Sequence, residues 1–127
     1  MKQGVKMKFT PSHEWIDASD DIGVVGITFS AQQELGEVVY IELPKVGAKV
    51  QQGEEVVVIE STKAAADIYA PVSGEIIAVN TTLLESLTSL NESPEKEGWL
   101  FTMKIEDKQQ LEHLLNYEEY LDLVSSD

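Results

Sequence analysis

The sequence predicts a mainly β fold, either a sandwich or a barrel of short strands. Short apolar runs rich in valine and isoleucine recur through residues 5–106, and glycine or proline interrupts them about every ten residues. The clearest run alternates strictly, so that Trp99, Phe101, Met103 and Ile105 share one face and polar residues share the other. This pattern favours packed antiparallel strands over βαβ units.

Each predicted strand combines apolar alternation or a β-branched run with a flanking turn signal. In chain order the strands cover residues 7–9, 14–17, 22–28, 37–43, 55–60, 65–69, 74–80 and 99–106. Residues 61–64 separate two of these strands, and we expect a hairpin at that point.

Two helical stretches are predicted between the strands. Ser30 followed by Gln33 indicates a capping box that opens a short helix through Leu35, and Gly36 is placed to end that helix. The second stretch is predicted within residues 83–90.

Two further helices are predicted at the C-terminus, where they are expected to pack over the strands. Asp107 is placed to cap the first, and Asn116, with Glu119 in the third position, is placed to cap the second. Their apolar sides consist of Leu111, Leu114 and Leu115 in the first helix and of Tyr120, Leu121 and Val124 in the second. A partner-binding role for these helices is the open alternative.

The composition indicates a single acidic domain. We expect one domain over 1–127, with a core over about 8–106 and C-terminal helices over about 107–124. The 23 acidic residues and 9 basic residues, all of them lysine, give a net charge of −14. This balance argues against nucleic acid and against an anionic membrane surface, and it favours protein partners with basic surfaces.

Several other functions are disfavoured by what the sequence contains. The chain has no cysteine, which excludes disulfides and a cysteine nucleophile, and its two histidines, His13 and His113, are too far apart to suggest a metal site. Adjacent residues on a strand point to opposite faces, so Ser12 and His13 are not expected to form a nucleophile pair. Residues 1–9 lack the continuous apolar stretch of a signal peptide, and no later run reaches membrane-spanning length; a cytoplasmic location is therefore expected.

The residues that indicate a chemical function lie in the segment 55–79. Its two predicted strands flank the tip Ser61-Thr62-Lys63-Ala64, and a turn of this kind places its central side chains in solvent. Lys63 alone at this tip has a long nucleophilic side chain, and the small residues 64–66 leave its amine accessible. A modifying enzyme can therefore take the tip into a narrow pocket. The alternative is an ordinary solvated lysine.

The same segment strongly resembles the lipoyl-lysine hairpin of glycine cleavage system H proteins. The likeness covers residues 57–64 (VVIESTKA) and 67–76 (DIYAPVSGEI). It continues in the family's order and spacing through the motifs Ser12-His13-Glu14-Trp15, Val25-Gly26-Ile27-Thr28, Leu35-Gly36-Glu37, Glu42-Leu43-Pro44, Asn91-Glu92 and Gly98-Trp99-Leu100. The resemblance spans roughly residues 8–124, and its combination of motifs is highly specific.

The resemblance implies a fold and a function. The fold is a flattened β-barrel or sandwich of two half-sheets, the lipoyl-domain architecture called a barrel-sandwich hybrid, with added helices. The function is that of a non-enzymatic carrier with lipoate bound as an amide to Lys63, where Glu60, Ser61 and Ala64 provide recognition. Its swinging arm takes an aminomethyl group from glycine decarboxylase (P protein) to the aminomethyltransferase (T protein), and dihydrolipoyl dehydrogenase (L protein) reoxidises it. A lipoate ligase or an octanoyl or lipoyl transferase attaches the cofactor.

The loaded arm is expected to rest against carboxylates, because an aminomethyl group is a primary amine and cationic. Asp67 lies four residues beyond Lys63, and the resemblance places Glu14 beside the arm. We expect both carboxylates to pair with the amine and Ser12 to add a hydrogen bond. Two solvated acids are the alternative for Glu14 and Asp67.

The chain departs from the family pattern at Thr62, where valine is usual, at Ala66, where serine is common, and in the loop 93–98, which bears on the choice of partners. Two other functions stay open. One is a lipoate relay that donates lipoyl groups to 2-oxoacid dehydrogenases, and the other is an unmodified acidic scaffold.

Overall fold

The structure is a computed structural model that describes residues 7–125. Residues 1–6 lie outside the described residues. The expectation that the N-terminus lacks a signal peptide concerns this segment. The strands are β1 (Met7–Phe9), β2 (Glu14–Ser19), β3 (Ile22–Ile27), β4 (Val38–Glu42), β5 (Lys49–Val50), β6 (Glu55–Ser61), β7 (Ala65–Tyr69), β8 (Gly74–Val79) and β9 (Phe101–Ile105). The helices are α1 (Phe29–Leu35), α2 (Thr82–Glu85), α3 (Thr88–Glu92), α4 (Gln109–Glu112) and α5 (Tyr117–Ser125).

The strands form two antiparallel sheets. The larger has the order β1-β2-β3-β9-β8-β5, and the smaller has the order β4-β6-β7. In the described part of the chain β1 and β5 stay at the edges of the larger sheet, and β4 and β7 at the edges of the smaller one. The predicted mainly β fold is confirmed in its sandwich form, because the two sheets do not close into a barrel.

The core lies between the two sheets. Both sheets contribute fully buried side chains to it, among them Ile16, Ile27 and Phe101 from the larger and Val57 and Ile59 from the smaller. Each such side chain contributes about 1.5–3 kcal/mol relative to an exposed position. The alternation predicted for residues 99–106 is confirmed from Phe101 to Ile105.

A second cluster lies outside this core, where β1 and α5 meet. It is formed by Phe9, Trp15 and Tyr120, with Trp99 packed against it half-buried. The indole Nε1 of Trp15 donates to the carbonyl oxygen of Pro94 at 3.1 Å. Trp15 is therefore a core residue that also fastens the loop 93–98.

Several element predictions need correction. Strand β5 was not predicted, because two residues cannot display an alternation. The helix expected within 83–90 is two short helices, α2 and α3, separated at Ser86 and Leu87. The cap of α1 is Thr28 rather than Ser30, since the Thr28 hydroxyl accepts from the amide of Ala31 at 3.2 Å.

The predicted helix ends are confirmed at three places. Gly36 ends α1 with a φ of +78°, which favours glycine. Asp107 accepts from the amide of Gln109 at 3.0 Å at the start of α4. Asn116 and Glu119 form a reciprocal capping box at α5, with side chain to amide distances of 2.8 and 2.9 Å.

The apolar sides predicted for the two C-terminal helices are correct only in part. Helix α4 ends at Glu112, so that only Leu111 of its predicted leucines lies within it, and Leu114 and Leu115 follow it. The side predicted for the last helix fails at one residue. Tyr120 is buried and Val124 is half-buried, but Leu121 is 40% exposed. The domain bounds predicted for the core and the C-terminal helices stay a prediction.

Tyr120 fastens α5 to the start of β2. Its ring stacks on Phe9 with centroids 4.9 Å apart, and its hydroxyl lies 2.7 Å from His13 Nδ1 and 2.6 Å from Thr28 Oγ1. Burial raises the pKa of Tyr120 above its usual range, against the opposing effect of the Thr28 hydrogen bond. The ionised phenolate is therefore disfavoured in the folded chain.

Replacing Tyr120 by phenylalanine keeps the stacked ring and removes both hydrogen bonds. We expect the free energy of unfolding to fall by about 1–3 kcal/mol at neutral pH, because His13 and Thr28 lose their partner. The raised pKa adds a pH dependence, since the stabilisation by Tyr120 is present below about pH 10, the unfolded value, and is lost as the pH rises through the folded value. Urea unfolding at pH 7 and at stepwise higher pH should show the difference between parent and variant shrinking above about pH 10. A difference that stays constant across this range would contradict the assignment.

Candidate functional site

The tip of the β6–β7 hairpin is ordered by one serine. Glu60 and Ala65 are the last paired residues, and the turn Ser61–Ala64 closes the hairpin with a hydrogen bond from the Ser61 amide to the Ala64 carbonyl at 2.8 Å. The Ser61 hydroxyl accepts from the amides of Lys63 and Ala64 at 3.1 and 3.0 Å and donates to the Ala64 carbonyl at 3.1 Å. The backbone that carries Lys63 is thus held by the turn itself.

Lys63 is exposed at this tip, and its side chain leans toward the start of β4. A Cβ atom at Gly36 would lie 3.1 Å from Lys63 Cε and 3.7 Å from Lys63 Nζ. The amide of Thr62 donates to the carbonyl of Glu37 at 3.0 Å, which extends the β4–β6 ladder to the tip. The small residue at position 36 therefore leaves room for the lysine stem.

The residues predicted to flank the attachment point are accessible. Glu60 and Ala64 are exposed and Ser61 is half-buried. The tip presents a primary amine on a flexible stem, with a carboxylate three residues before it and methyl groups after it. An enclosing enzyme pocket can reach this amine from outside without rearranging the fold.

Glu14 is the most buried acidic residue of the site, with 1% of its surface exposed. Its Oε1 accepts from the hydroxyls of Thr10 and Ser12 at 2.5 and 2.6 Å, and its Oε2 accepts from the amide of Tyr69 at 3.2 Å. A carboxylate offers about four acceptor sites, so these three donors leave about one free. Because Glu14 is buried and hydrogen-bonded, the alternative that it is a solvated surface acid is excluded.

A cavity of about 400 Å³ opens beside this carboxylate. Its lining is mostly apolar, and the polar groups of Ser12 and Glu14 lie among Tyr69, Pro71 and Leu114. Such a cavity suits a ligand with an apolar stem and a cationic end, because the stem loses contact with water while the charge meets a carboxylate.

The structure brings Ser12 and Glu14 together and leaves Asp67 apart from them. Asp67 is exposed on the edge strand β7, opposite Val58, and does not line the cavity. It lies two residues before Tyr69, about 7 Å along the strand, and four residues after Lys63, no more than about 13 Å because residues 63 and 64 belong to the turn. Asp67 therefore lies on the path between the tip and the Glu14 carboxylate.

Two groups of the site were missed by the sequence prediction. One is the Thr10 hydroxyl, and the other is the Tyr69 amide, 55 residues away from Glu14. The motif Thr10-Pro11-Ser12 contains turn residues that signal local side-chain hydrogen bonds, but nothing local points to Tyr69.

The histidine alternatives do not form a site. His13 has a φ of +75°, and its ring contacts Tyr120. His113 is exposed and lies 3.1 Å from the Gln109 carbonyl oxygen. Over residues 7–125 no group of three or more His, Asp or Glu side chains is arranged to hold a metal ion. None of the helices described is long and apolar enough to cross a membrane.

Comparisons with known proteins agree on one family. The family model described as Glycine cleavage H-protein matches residues 7–127. The chain is similar to the glycine cleavage system H protein of Thermotoga maritima, with 48% identity over 120 residues that cover 94% of this chain and 97% of the relative. It is 51% identical to that of Methylacidiphilum infernorum over 116 residues, 91% of either chain. The crystal structure of such a protein from Mycobacterium marinum superposes with a TM-score of 0.87 at 34% identity, over 94% of this chain and 97% of the other.

Proposed function

The chain belongs to the glycine cleavage H-protein family, and from that premise we propose that Lys63 is the lysine on which it carries lipoate. The observation that carries this assignment is the exposed amine of Lys63 at the hairpin tip, on a turn held by Ser61. We assign recognition by the attaching enzyme to the adjoining Glu60, Ser61 and Ala64.

The chain is a lipoyl carrier of glycine cleavage. It shuttles the aminomethyl group from glycine decarboxylase to the aminomethyltransferase and presents the dithiol to dihydrolipoyl dehydrogenase. When bound, lipoate supplies the redox and carrier chemistry, while the protein supplies tethering and presentation. We infer that the chain is a substrate of these enzymes and itself no enzyme, and that it works in the cytoplasm.

Attachment of the cofactor is an acyl transfer to the Lys63 amine. A lipoate ligase, or an octanoyl or lipoyl transferase, provides an activated acyl donor. Nζ loses one proton from the ammonium and attacks the acyl carbon; the amide N–C bond forms, the bond from that carbon to its leaving group breaks, and a second proton is released. The formal charge of the chain moves from −14 to −15.

The residues on the β7 side of the hairpin suit a tethered cationic cargo. The lysine stem and lipoyl chain contain about twelve bonds in series, which reach about 14 Å when extended. That length spans the distance from Lys63 to the level of Asp67. The S–C and C–N bonds of the aminomethyl group add about 3 Å, which brings its amine to within about a hydrogen-bond length of the level of the Tyr69 amide, where Glu14 accepts. We assign Asp67 as the first carboxylate that the amine of the loaded arm meets. We assign Glu14, together with Ser12, as the buried carboxylate site at the wall of the cavity.

The negative charge of the carrier should speed its encounter with enzymes that present basic surfaces. Screening shortens the reach of these charges to about 8 Å at physiological ionic strength. We therefore expect the KM of glycine decarboxylase for the lipoylated carrier to rise several-fold as salt increases from about 20 to about 200 mM. Steady-state rates across this range provide the measurement. A flat profile would mean that apolar contacts near the hairpin dominate docking.

A reconstituted reaction tests the proposed function. The chain is lipoylated with lipoate ligase, lipoate and ATP. Carrier-dependent release of CO2 from glycine is then followed with the decarboxylase, with the aminomethyltransferase and its folate acceptor, and with dihydrolipoyl dehydrogenase and NAD+, which reoxidise the dithiol after each cycle. We expect turnover that depends on the lipoylated chain. A lipoate relay would instead transfer its lipoyl group to the acceptor domain of a 2-oxoacid dehydrogenase without supporting CO2 release. A scaffold would accept no lipoyl group.

A further inference from the structure

A groove runs along the open edge of β4 and begins beside Lys63. Two adjoining cavities, of about 710 and 340 Å³, share Leu87 and extend together from Gly36 to Leu84. The end of α1 and strand β4 form one wall, and α2 and α3 form the other. We call this depression the β4 groove and define it by Gln33, Gly36, Glu37, Val39, Tyr40 and Leu84.

Large apolar side chains are exposed in the far half of the β4 groove. Val39, Tyr40 and Leu84 are 53%, 45% and 61% exposed, and all three line the same cavity. Single exposed apolar residues are ordinary, but three that meet in one concavity mark an interaction surface. They provide the apolar centre that a protein interface requires.

The rim of the β4 groove is acidic. The Tyr40 hydroxyl donates to Glu42 Oε2 at 2.8 Å, and Tyr40 lies opposite Glu60 in the β4–β6 ladder. Glu85 lines the far cavity, and Glu37 and Glu92 line the near one, whereas no lysine within residues 7–125 lines either cavity. An apolar centre inside an acidic rim is complementary to an apolar projection surrounded by lysine or arginine.

The unmodified Lys63 side chain lies at the head of this groove. Its Cε atom is 3.1 Å from the position that a Gly36 Cβ would occupy, and Gly36 lines the near cavity. Glu14 and its cavity lie on the opposite, β7 side of the hairpin. The free amine and the carboxylates assigned to the loaded arm are thus on different sides.

The reach of the Lys63 side chain determines which enzyme must contact the β4 side of the hairpin. Nζ lies about 6 Å from Cα across five bonds, and the acyl carbon must approach it to about 3–3.5 Å. An acylating enzyme must therefore come within about 10 Å of the Lys63 backbone. An enzyme that acts on the end of the lipoyl arm works roughly 14 Å from that backbone and need not contact β4.

We propose that the β4 groove seats the enzyme that acylates Lys63, through an apolar projection and a basic rim on that enzyme. The proposal rests on the proposed function, because it takes Lys63 as the modified lysine. Acylation of Lys63 and retention of the loaded lipoyl arm then use opposite sides of one hairpin. The attaching enzyme therefore does not cover the β7 side.

Lipoylation kinetics test the groove. Intact-mass assays with lipoate ligase, lipoate and ATP give kcat and KM for the full chain and for Leu84→Ser and Glu42→Lys. Leu123→Ser and Glu106→Lys are the matched controls, since Leu123 and Glu106 are also exposed and lie outside the groove. We expect KM to rise about five- to tenfold for both groove variants with kcat retained, because neither side chain touches the reacting atoms.

Failure of the groove and failure of the proposed function give different results. If the parent is lipoylated on Lys63 and both groove variants match their controls, the groove proposal is wrong and the carrier function stands. If the parent accepts no lipoyl group on Lys63, the proposed function itself fails. The groove variants, once fully lipoylated, should have the same KM with glycine decarboxylase as their matched controls, Leu123→Ser and Glu106→Lys. A rise there without one in lipoylation would assign the groove to the decarboxylase and overturn the proposal.

Discussion

Replacing Lys63 by arginine is expected to abolish lipoylation and, with it, all carrier-dependent glycine decarboxylation. Arginine keeps the positive charge and the approximate length of the side chain but has no amine that can be acylated at neutral pH. Because Lys63 is exposed at the hairpin tip, the free energy of unfolding should change by no more than about 0.5 kcal/mol. Intact mass after incubation with lipoate ligase reports the first effect, and urea unfolding reports the second.

The matched control for this variant is a chain in which Lys45 and Lys49 are replaced by arginine. These are also exposed lysines, and they lie before β6. The control should be lipoylated to the same extent as the parent. Lipoyl groups on any other lysine of the Lys63→Arg variant would contradict the assignment of the attachment site.

The second large effect is expected from the carboxylates on the β7 side. A Glu14→Gln, Asp67→Asn double variant, once loaded with the aminomethyl group, should release formaldehyde and ammonia faster than the parent when no aminomethyltransferase is present. A partly buried charged hydrogen bond contributes about 1–2 kcal/mol, more than an exposed ion pair, so roughly a tenfold faster release is expected. The release is followed by trapping formaldehyde over time.

Two further variants separate retention of the load from damage to the fold. Glu14→Gln leaves one acceptor oxygen where the carboxylate had two, so that either the Tyr69 amide or the Thr10 and Ser12 hydroxyls lose their acceptor and this buried network is destabilised. Asp67→Asn changes an exposed side chain. The single Asp67→Asn variant should therefore lose its load a few-fold faster with unchanged stability. An Asp20→Asn, Glu106→Gln control removes the same charge from exposed positions elsewhere. If the double variant holds its load as long as this control, the proposed pairing with the amine is wrong, Glu14 serves only the fold and Asp67 serves only solubility or docking.

The sequence predicted the fold well where a pattern of several residues carries the information. The alternation from Phe101 to Ile105 and the capping pair Asn116 and Glu119 are local, and the structure confirms both. Strand β5 contains two residues and was missed, because too short a run has no readable period. The cap of α1 was placed at Ser30 instead of Thr28, since both residues have a hydroxyl and only the three-dimensional hydrogen bond distinguishes them.

The candidate site was predictable to different degrees. The exposed position of Lys63 follows from a polar turn between two apolar strands, so it was visible in the sequence. The burial of Glu14 was not visible, because one of its donors is the amide of Tyr69 in the other sheet. The β4 groove likewise combines residues from β4 and α2 that are more than 40 residues apart. Contacts across such separations leave no local signal.

Peptide mapping of the protein purified from its own cells tests the central claim most directly. The peptide that contains Lys63 should have the mass increment of one lipoyl amide, and fragmentation should place that increment on Lys63. Lipoylated 2-oxoacid dehydrogenases from the same cells serve as the internal control that lipoate was available. An unmodified Lys63 beside lipoylated dehydrogenases, or a lipoyl group on another lysine of the chain, would contradict a lipoyl carrier that uses this hairpin.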